Sequence, residues 1–326
     1  MAEPLVEVED LSVQFNVGRS GFWGQNHQYL SAVDHVSLSI ARGEVLGLVG
    51  ESGSGKTTTG KAILRRVPAA SGTIKFKDED ITNLEGEKLR KLRKHMQAVF
   101  QDPYGSLNPK QSVLEIVAEP LLVHGEIKNV KEAKDEVKEF LDLVGMPKDA
   151  VDRYPHAFSG GQRQRIGIAR ALALKPEFIV ADEPVSALDV SIQAQIVNLM
   201  QDLRSELNLT YLFIAHDLSV VRHISDRIAI MYAGQLVELS DKDTVYERPA
   251  HPYTQALLSA VPIPDPKIEA TRQRVSVEGE VPNLIDPPPG CRFASRCPYV
   301  RDRCREESPE MREIAYGHQA ACHFVE

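Results

Sequence analysis

The sequence contains no apolar run near the roughly 20 residues that cross a bilayer as a helix, so no membrane span is expected in it. Met1 to Asp10 is acidic, not a basic stretch leading into an apolar one, so no secretory leader is predicted and the chain is expected to stay in the cytosol. Positive charge is not in excess: 38 Lys and Arg against 46 Asp and Glu leave a formal charge of -8, and no global field favours a polyanion. Nucleic acid is therefore not an expected partner. Cysteine is scarce, with four in 326 residues and none before Cys291. In a reducing compartment, four clustered thiols point to metal ligation before disulfides. There is no internal repeat.

What is present is ordinary globular composition, 42% hydrophobic and 26% charged, in a length suited to one large α/β domain with an appendage or to two modest domains. Glu44 to Val49 (EVLGLV) is a short apolar run followed by a Gly-rich segment and then a helical pattern to about Arg66, which reads as strand, loop, helix. Phe178 to Ala181 and Tyr211 to Ala215 are two further buried-strand candidates of a parallel sheet. Ligands of such sheets bind at the strands' carboxyl ends. Between Leu107 and Ala171 strand patterns give way to amphipathic stretches such as Val130 to Val144, predicting a helical subdomain at about 105–170. RIAIMYAGQLVELS, from Arg227, alternates about an Ala-Gly-Gln turn and predicts a hairpin that ends the core. From about Pro249 the chain turns proline-rich and a loop-rich extension is expected. The expected division is 1–248 and 249–326. Residues 16–30, Gly-rich and aromatic, read as an insertion.

Gly50, Glu51, Ser52, Gly53, Ser54, Gly55, Lys56 and Thr57 spell GESGSGKT, the pattern GxxxxGK[ST], with Thr58 next. Glycines let backbone N–H groups wrap phosphates, Lys56 reaches the β and γ phosphates, and Thr57 supplies a Mg²⁺ ligand. The helix that follows aims its N-terminal dipole at the same anion. A Gly-rich turn that merely packs helix on strand shares the composition, but the strand-to-helix junction is the position the chemistry requires. FIVADE, from Phe178, delivers two carboxylates to a strand end: Asp182 for the Mg²⁺ shell and Glu183 to polarise an attacking water. An Asp-Glu pair ending a strand in solvent is the plainer reading, weakened by the phosphate loop elsewhere in the chain.

FSGGQRQR, Phe158 to Arg165, resembles the signature motif of ABC ATPases. Ser159, Gly160, Gly161 and Gln162 would present a hydroxyl and N–H groups at a helix N-terminus to a γ-phosphate, while Ser159 is equally a good N-cap. The resemblance implies an α/β ABC ATPase domain with a RecA-like core, an antiparallel β subdomain and a helical subdomain. It implies that Gln101, in VFQDP, reaches Mg²⁺ and the attacking water, that Ser186 to Asp189 (SALD) couples two sites, and that His216 is the switch histidine contacting the γ-phosphate. It sets Phe15 against adenine, where ABC ATPases more often carry tyrosine; Tyr29 and Phe22 compete for that place. It also implies a dimer in which each ATP lies between one subunit's phosphate loop and the other's signature.

Cys291, Cys297, Cys304 and Cys322 are separated by five, six and seventeen residues. Four thiolates can complete a tetrahedral Zn²⁺ site or one [4Fe–4S] cluster, and no CxxC knuckle is present. RPAHPYTQALLSAVP (Arg248 to Pro262) and PPPGCRFASRCP (Pro287 to Pro298) resemble the extension of dipeptide and oligopeptide importer ATPases, nearest the second of their two ATPase subunits. This resemblance runs over nearly the whole chain and implies a [4Fe–4S] cluster, with Zn²⁺ as the alternative. It further implies ATP-driven peptide uptake at the cytoplasmic face of the cell membrane. The implied partners are a sister ATPase in a heterodimer, two transmembrane permease subunits and an extracytoplasmic solute-binding protein. Relatives of this architecture also carry sugars or nickel, and a soluble ABC protein acting on nucleic acid or ribosomes is the competing class. Exporters are commonly fused to transmembrane helices, which this chain lacks.

Overall fold

The computed structural model describes residues 3–20, 26–261 and 279–325. Phe22 and Pro262 lie outside the described residues. In chain order the strands are β1 (Pro4–Ser20), β2 (Asn26–Ala41), β3 (Val45–Val49), β4 (Ser71–Phe76), β5 (Glu79–Asp80), β6 (Met96–Val99), β7 (Phe178–Asp182), β8 (Thr210–Ala215), β9 (Arg227–Tyr232), β10 (Gln235–Asp241), β11 (Arg312–Ala315) and β12 (His318–Ala320). The helices are α1 (Lys56–Ile63), α2 (Gly86–Leu92), α3 (Val113–Val123), α4 (Lys134–Leu143), α5 (Gly160–Leu172), α6 (Val190–Leu207), α7 (Leu218–Ile224), α8 (Lys242–Glu247), α9 (Pro252–Ala260) and α10 (Asp302–Glu306). None is long and apolar enough to cross a membrane among the described residues.

The chain forms two compact units. One comprises Met1–Leu5, Ile40–Val45 and Asn83–Ala215, the other Val6–Ser39, Leu46–Thr82 and His216–Glu326. In the first, β6, β7 and β8 pair in parallel, Val180 opposite both Ala98 and Leu212. Their unbroken apolar runs match burial on both faces, and β8 is buried along its whole length. No strand falls between Leu107 and Ala171; α3, α4 and α5 pack there with short 3-10 turns. The stretch Val130 to Val144 divides into a 3-10 turn, Val130–Ala133, and α4, which buries Val137, Phe140 and Leu141. Ser112 starts α3 with a reciprocal capping box to Glu115.

In the second unit β3 is wholly buried and runs parallel to β9, Leu48 opposite Ala229. The hairpin expected from Arg227 is β9 and β10, turning at Ala233-Gly234. It does not end the core: β12 adds to β10, Glu238 opposite Ala320, and β11 adds to β12. The extension therefore contributes strands as well as loops. Its sequence hides them because β11 and β12 are only four and three residues long. A separate antiparallel sheet has the order β2-β1-β4-β5. Asn16 to Ser20 and Asn26 to Leu30, read above as part of an insertion, lie in β1 and β2.

Candidate nucleotide site and cysteine pocket

The phosphate loop leaves β3 at Gly50 and enters α1 at Lys56. Two glycines in it are dictated by space. A Cβ on Gly50 would stand 2.0 Å from the Met231 carbonyl oxygen, and one on Gly55 2.2 Å from that of Ala32, with φ of 158° and 102°. Gly55 offers no side-chain cap to α1, which leaves the N-terminal N–H groups of the helix without a side-chain acceptor at its N-cap. Lys56 is buried, and its Nζ donates to the carbonyls of Gly50 and Glu51 at 2.7 Å each and to Ser54 Oγ at 3.3 Å. The ammonium is thereby held inside the curve of the loop. Ser54 is buried and its carbonyl accepts the Gly234 N–H at 2.9 Å, which ties the loop to the β9–β10 turn. Ser52 and Gly53 are exposed, and Thr57 and Thr58 half-buried.

Two residues of the extension reach this loop, and the sequence reading did not anticipate either. The Glu51 N–H donates to the Tyr253 hydroxyl at 2.9 Å, and the Glu51 carboxylate takes two hydrogen bonds from Arg296, at 2.9 and 3.1 Å. No spacing rule links positions 51, 253 and 296; only the presence of RPAHPYTQ and CRFASRC as motifs marked the segments. Phe15 lies on β1 and is 37% exposed, as a stacking ring must be, but Tyr29 on β2 is as open at 48%. His216 is exposed just after β8, ahead of α7, whose start is capped by Asp217.

The remaining candidates belong to the first unit. Asp182 closes β7 and Glu183 follows it with φ 46°, a left-handed backbone uncommon for a non-glycine residue and typical of sites where geometry is over-determined. Three bonds hold that turn: Glu183 N–H to the Ile214 carbonyl at 2.9 Å, and the Ser186 N–H and hydroxyl to the Glu183 carbonyl at 3.3 and 3.1 Å. Gln101, after β6, donates from Nε2 to Glu183 Oε2 at 2.8 Å. The residues assigned to water positioning and to the base are therefore in direct contact.

At the signature, Ser159 accepts the Gln162 N–H at 3.4 Å and donates its own N–H to Gln162 Oε1 at 3.0 Å, a capping box that opens α5. Ser159 and Gln162 are exposed and Gly161 is buried. A Cβ on Gly161 would come 2.4 Å from Ile192 Cγ2, so packing against α6 as well as any phosphate demands glycine there. Asp189 sits at the N-cap of α6 without making a side-chain capping bond, and it is exposed.

All four cysteines line one cavity of about 290 Å³, with Phe293, Tyr299 and Phe324 among its walls. All four are free thiols, Cys304 buried and the other three half-buried. The Cys291 N–H donates to the Cys304 carbonyl at 2.8 Å, fixing the two arms of the pocket. Burial pushes the Cys291 thiol up to about 11, with the other three cysteines adding to the rise. Among the described residues no three His, Cys, Asp or Glu side chains are grouped closely enough to hold a single metal ion.

Comparison with known proteins decides the family. Residues 33–186 match the family described as "ABC transporter", and 237–304 the "Oligopeptide/dipeptide transporter, C-terminal region". The oligopeptide transport ATP-binding protein AppF of Bacillus subtilis is 52% identical over 99% of this chain and 98% of its own length. OppF of Salmonella typhimurium, likewise an oligopeptide transport ATP-binding protein, is 48% identical over 98% of this chain and 95% of its own. The chain belongs to the ATP-binding subunits of ABC transporters.

Solved structures of similar fold agree with that membership. The ATP-binding cassette MJ0796, a dimer in a post-hydrolysis state bound to ADP and Pi, has a TM-score of 0.64 and 28% identity, covering 73% of this chain and 98% of that one. As an ABC ATPase the chain binds ATP with Mg²⁺ and hydrolyses it. The matched family region 33–186 includes the loop Gly50–Thr57 and the pair Asp182–Glu183.

Proposed function

We propose that this ABC subunit drives uptake of oligopeptides, working at the cytoplasmic face of the membrane as one of a pair of unlike ATPases beneath two permease subunits fed by a solute-binding protein. Identity of about half with the whole of AppF and OppF, whose names record oligopeptide transport, supports the cargo class. The observation that carries the catalytic reading is the 2.8 Å bond from Gln101 to Glu183. In that reading Glu183 takes the proton of the attacking water and Gln101 orients both. Asp182 and Thr57 belong to the Mg²⁺ shell, His216 contacts the γ-phosphate, and Phe15 stacks on adenine. Ser159, Gly160, Gly161 and Gln162 close a nucleotide bound to the partner ATPase, with Asp189 lining the coupling loop.

The four cysteines are read as ligands of a [4Fe–4S] cluster, with Zn²⁺ as the alternative. Their common cavity supports a shared ligand. A single Zn²⁺, with Zn–S bonds of about 2.3 Å, needs its sulfurs drawn tightly together. A cluster several atoms wide takes a more open set. When bound it supplies a cross-link between the arms carrying Cys291, Cys297, Cys304 and Cys322.

Reconstitution with the neighbouring permeases and binding protein tests the cargo: ATP hydrolysis should rise with an oligopeptide-loaded binding protein and not with a sugar- or nickel-loaded one. Stimulation by either of the latter alone would overturn the peptide reading. For the cysteines, anaerobic purification should yield about four irons per chain with brown charge-transfer absorbance. Zinc without iron would replace the cluster by the alternative.

A further inference from the structure

Glu51 is the one acidic residue of the loop Gly50–Thr57. A carboxylate at that position repels the polyphosphate the loop receives, and the repulsion is strongest for ATP, which carries the most charge. The structure answers this charge from a distant part of the chain. Arg296 meets both carboxylate oxygens, NH1 to Oε2 at 2.9 Å and NH2 to Oε1 at 3.1 Å, in a two-pronged ion pair whose arginine side chain is only 11% exposed. Arg296 is itself held, with NH1 3.3 Å from the Tyr232 hydroxyl. On the backbone side, Tyr253 takes the Glu51 N–H and packs against Tyr232 and Phe293, ring centroids 4.6 and 5.5 Å away. Both grips on Glu51 come from segments after the β9–β10 hairpin, within the same compact unit as the loop.

We infer that Arg296 is a positioning residue for nucleotide binding: it neutralises and anchors the Glu51 carboxylate, so that the loop meets the phosphates with its N–H groups and Lys56 rather than with an uncompensated negative charge. The C-terminal region is thereby part of the ATP site as well as a carrier of the cysteines. This rests on the reading of Gly50–Thr57 as the phosphate site.

Equilibrium binding of Mg·ATP and Mg·ADP to the full-length chain, followed by calorimetry, tests it. Arg296→Ala should weaken ATP binding about tenfold, between the water-like and surface-like limits for one nearby unit charge, and ADP binding less. The double variant Arg296→Ala with Glu51→Gln should return to within about twofold of the parent, because removing the carboxylate removes what the arginine offsets. A purely packing role for Arg296 would leave the double variant as weak as the single one, and that result, or a single variant with parental affinity, overturns the inference. If Arg296→Ala does not fold, Glu51→Gln alone decides: binding equal to or tighter than the parent supports the inference, and weaker binding refutes it. Lys56→Ala serves as the separate control. If it binds ATP as the parent does, the phosphate-site reading itself fails; if it loses binding while the Arg296 variants do not, only this inference fails.

Discussion

Gln101 Nε2 donates to Glu183 Oε2 at 2.8 Å, joining the second residue after β6 to the first residue after β7 across two parallel neighbours. Glu183 has a left-handed φ of 46°, and three hydrogen bonds about its peptide groups hold that conformation. A general base must stand within hydrogen-bond reach of the proton it takes, and the bond to Gln101 holds the Glu183 carboxylate in one orientation.

Glu183→Gln is expected to lower ATP turnover by a factor of about 10² to 10⁴ while ATP affinity stays within twofold of the parent. Gln101→Ala should lower kcat more modestly, about tenfold, because the base is intact but loosely oriented. Phosphate release by the assembled transporter, alongside nucleotide binding, measures both; turnover retained in the Glu183 variant would remove the base assignment.

Gly50→Ala should prevent the phosphate loop from closing. The new Cβ would lie 2.0 Å from a backbone oxygen of β9, which has no rotamer to move aside. Overpacking of this kind costs about 1 to 3 kcal/mol or more. A lower melting midpoint together with lost ATP binding is the expected result. Gly53→Ala, with open space around the added atom but a φ of 79°, should be milder in stability.

Acid should destabilise the extension through His251. Its side chain is buried, and burial depresses its pKa from 6.5 to about 3, while it accepts the Tyr253 N–H at 3.0 Å as the N-cap of α9. The folded state keeps the ring neutral, and the unfolded chain binds a proton below about 6.5. Its contribution is therefore fully present above pH 6.5 and is lost as pH falls from there toward 3, at about 1.4 kcal/mol per pH unit. His251→Asn retains a capping acceptor without the titration. Melting midpoints between pH 7.5 and 5.5 should fall less steeply in that variant than in the parent, and parallel slopes would exclude His251 as the origin.

His318→Ala should release the last strand. Glu238 is fully buried and takes the Ala250 and His251 N–H groups at 2.8 Å each, with His318 Nε2 2.8 Å away from β12. Removing the imidazole leaves buried acceptor capacity unfilled, a loss of about 2 kcal/mol. Limited proteolysis should then cut near β12 before the body of the chain is cleaved; unchanged protection would show that strand pairing alone holds it.

Much of the candidate nucleotide site's local structure was legible because it is local. GESGSGKT, FIVADE and FSGGQRQR are each a few consecutive residues whose spacing states a geometry: a strand end, a helix start, a glycine where a Cβ has no room. Likewise the buried runs of β3, β7 and β8 and the β9–β10 turn carry their own periodicity. The strands of the extension were not legible, since three or four residues hold no period, and residues 16–30 read as an insertion because β1 and β2 are long and partly exposed.

The sequence by itself pointed to the family and marked the candidate phosphate loop, the carboxylates at the end of β7, the candidate signature and the set of four cysteines. Tertiary structure alone decided that Gln101 is bonded to Glu183, that the four thiols open on one cavity, and that Tyr253 and Arg296 grip Glu51 from some 200 and 245 positions away. The reason is physical. Backbone conformation follows from neighbours along the chain, whereas a hydrogen bond or ion pair between distant positions exists only after strand order and burial have brought them together, and no local pattern records which partner will be there.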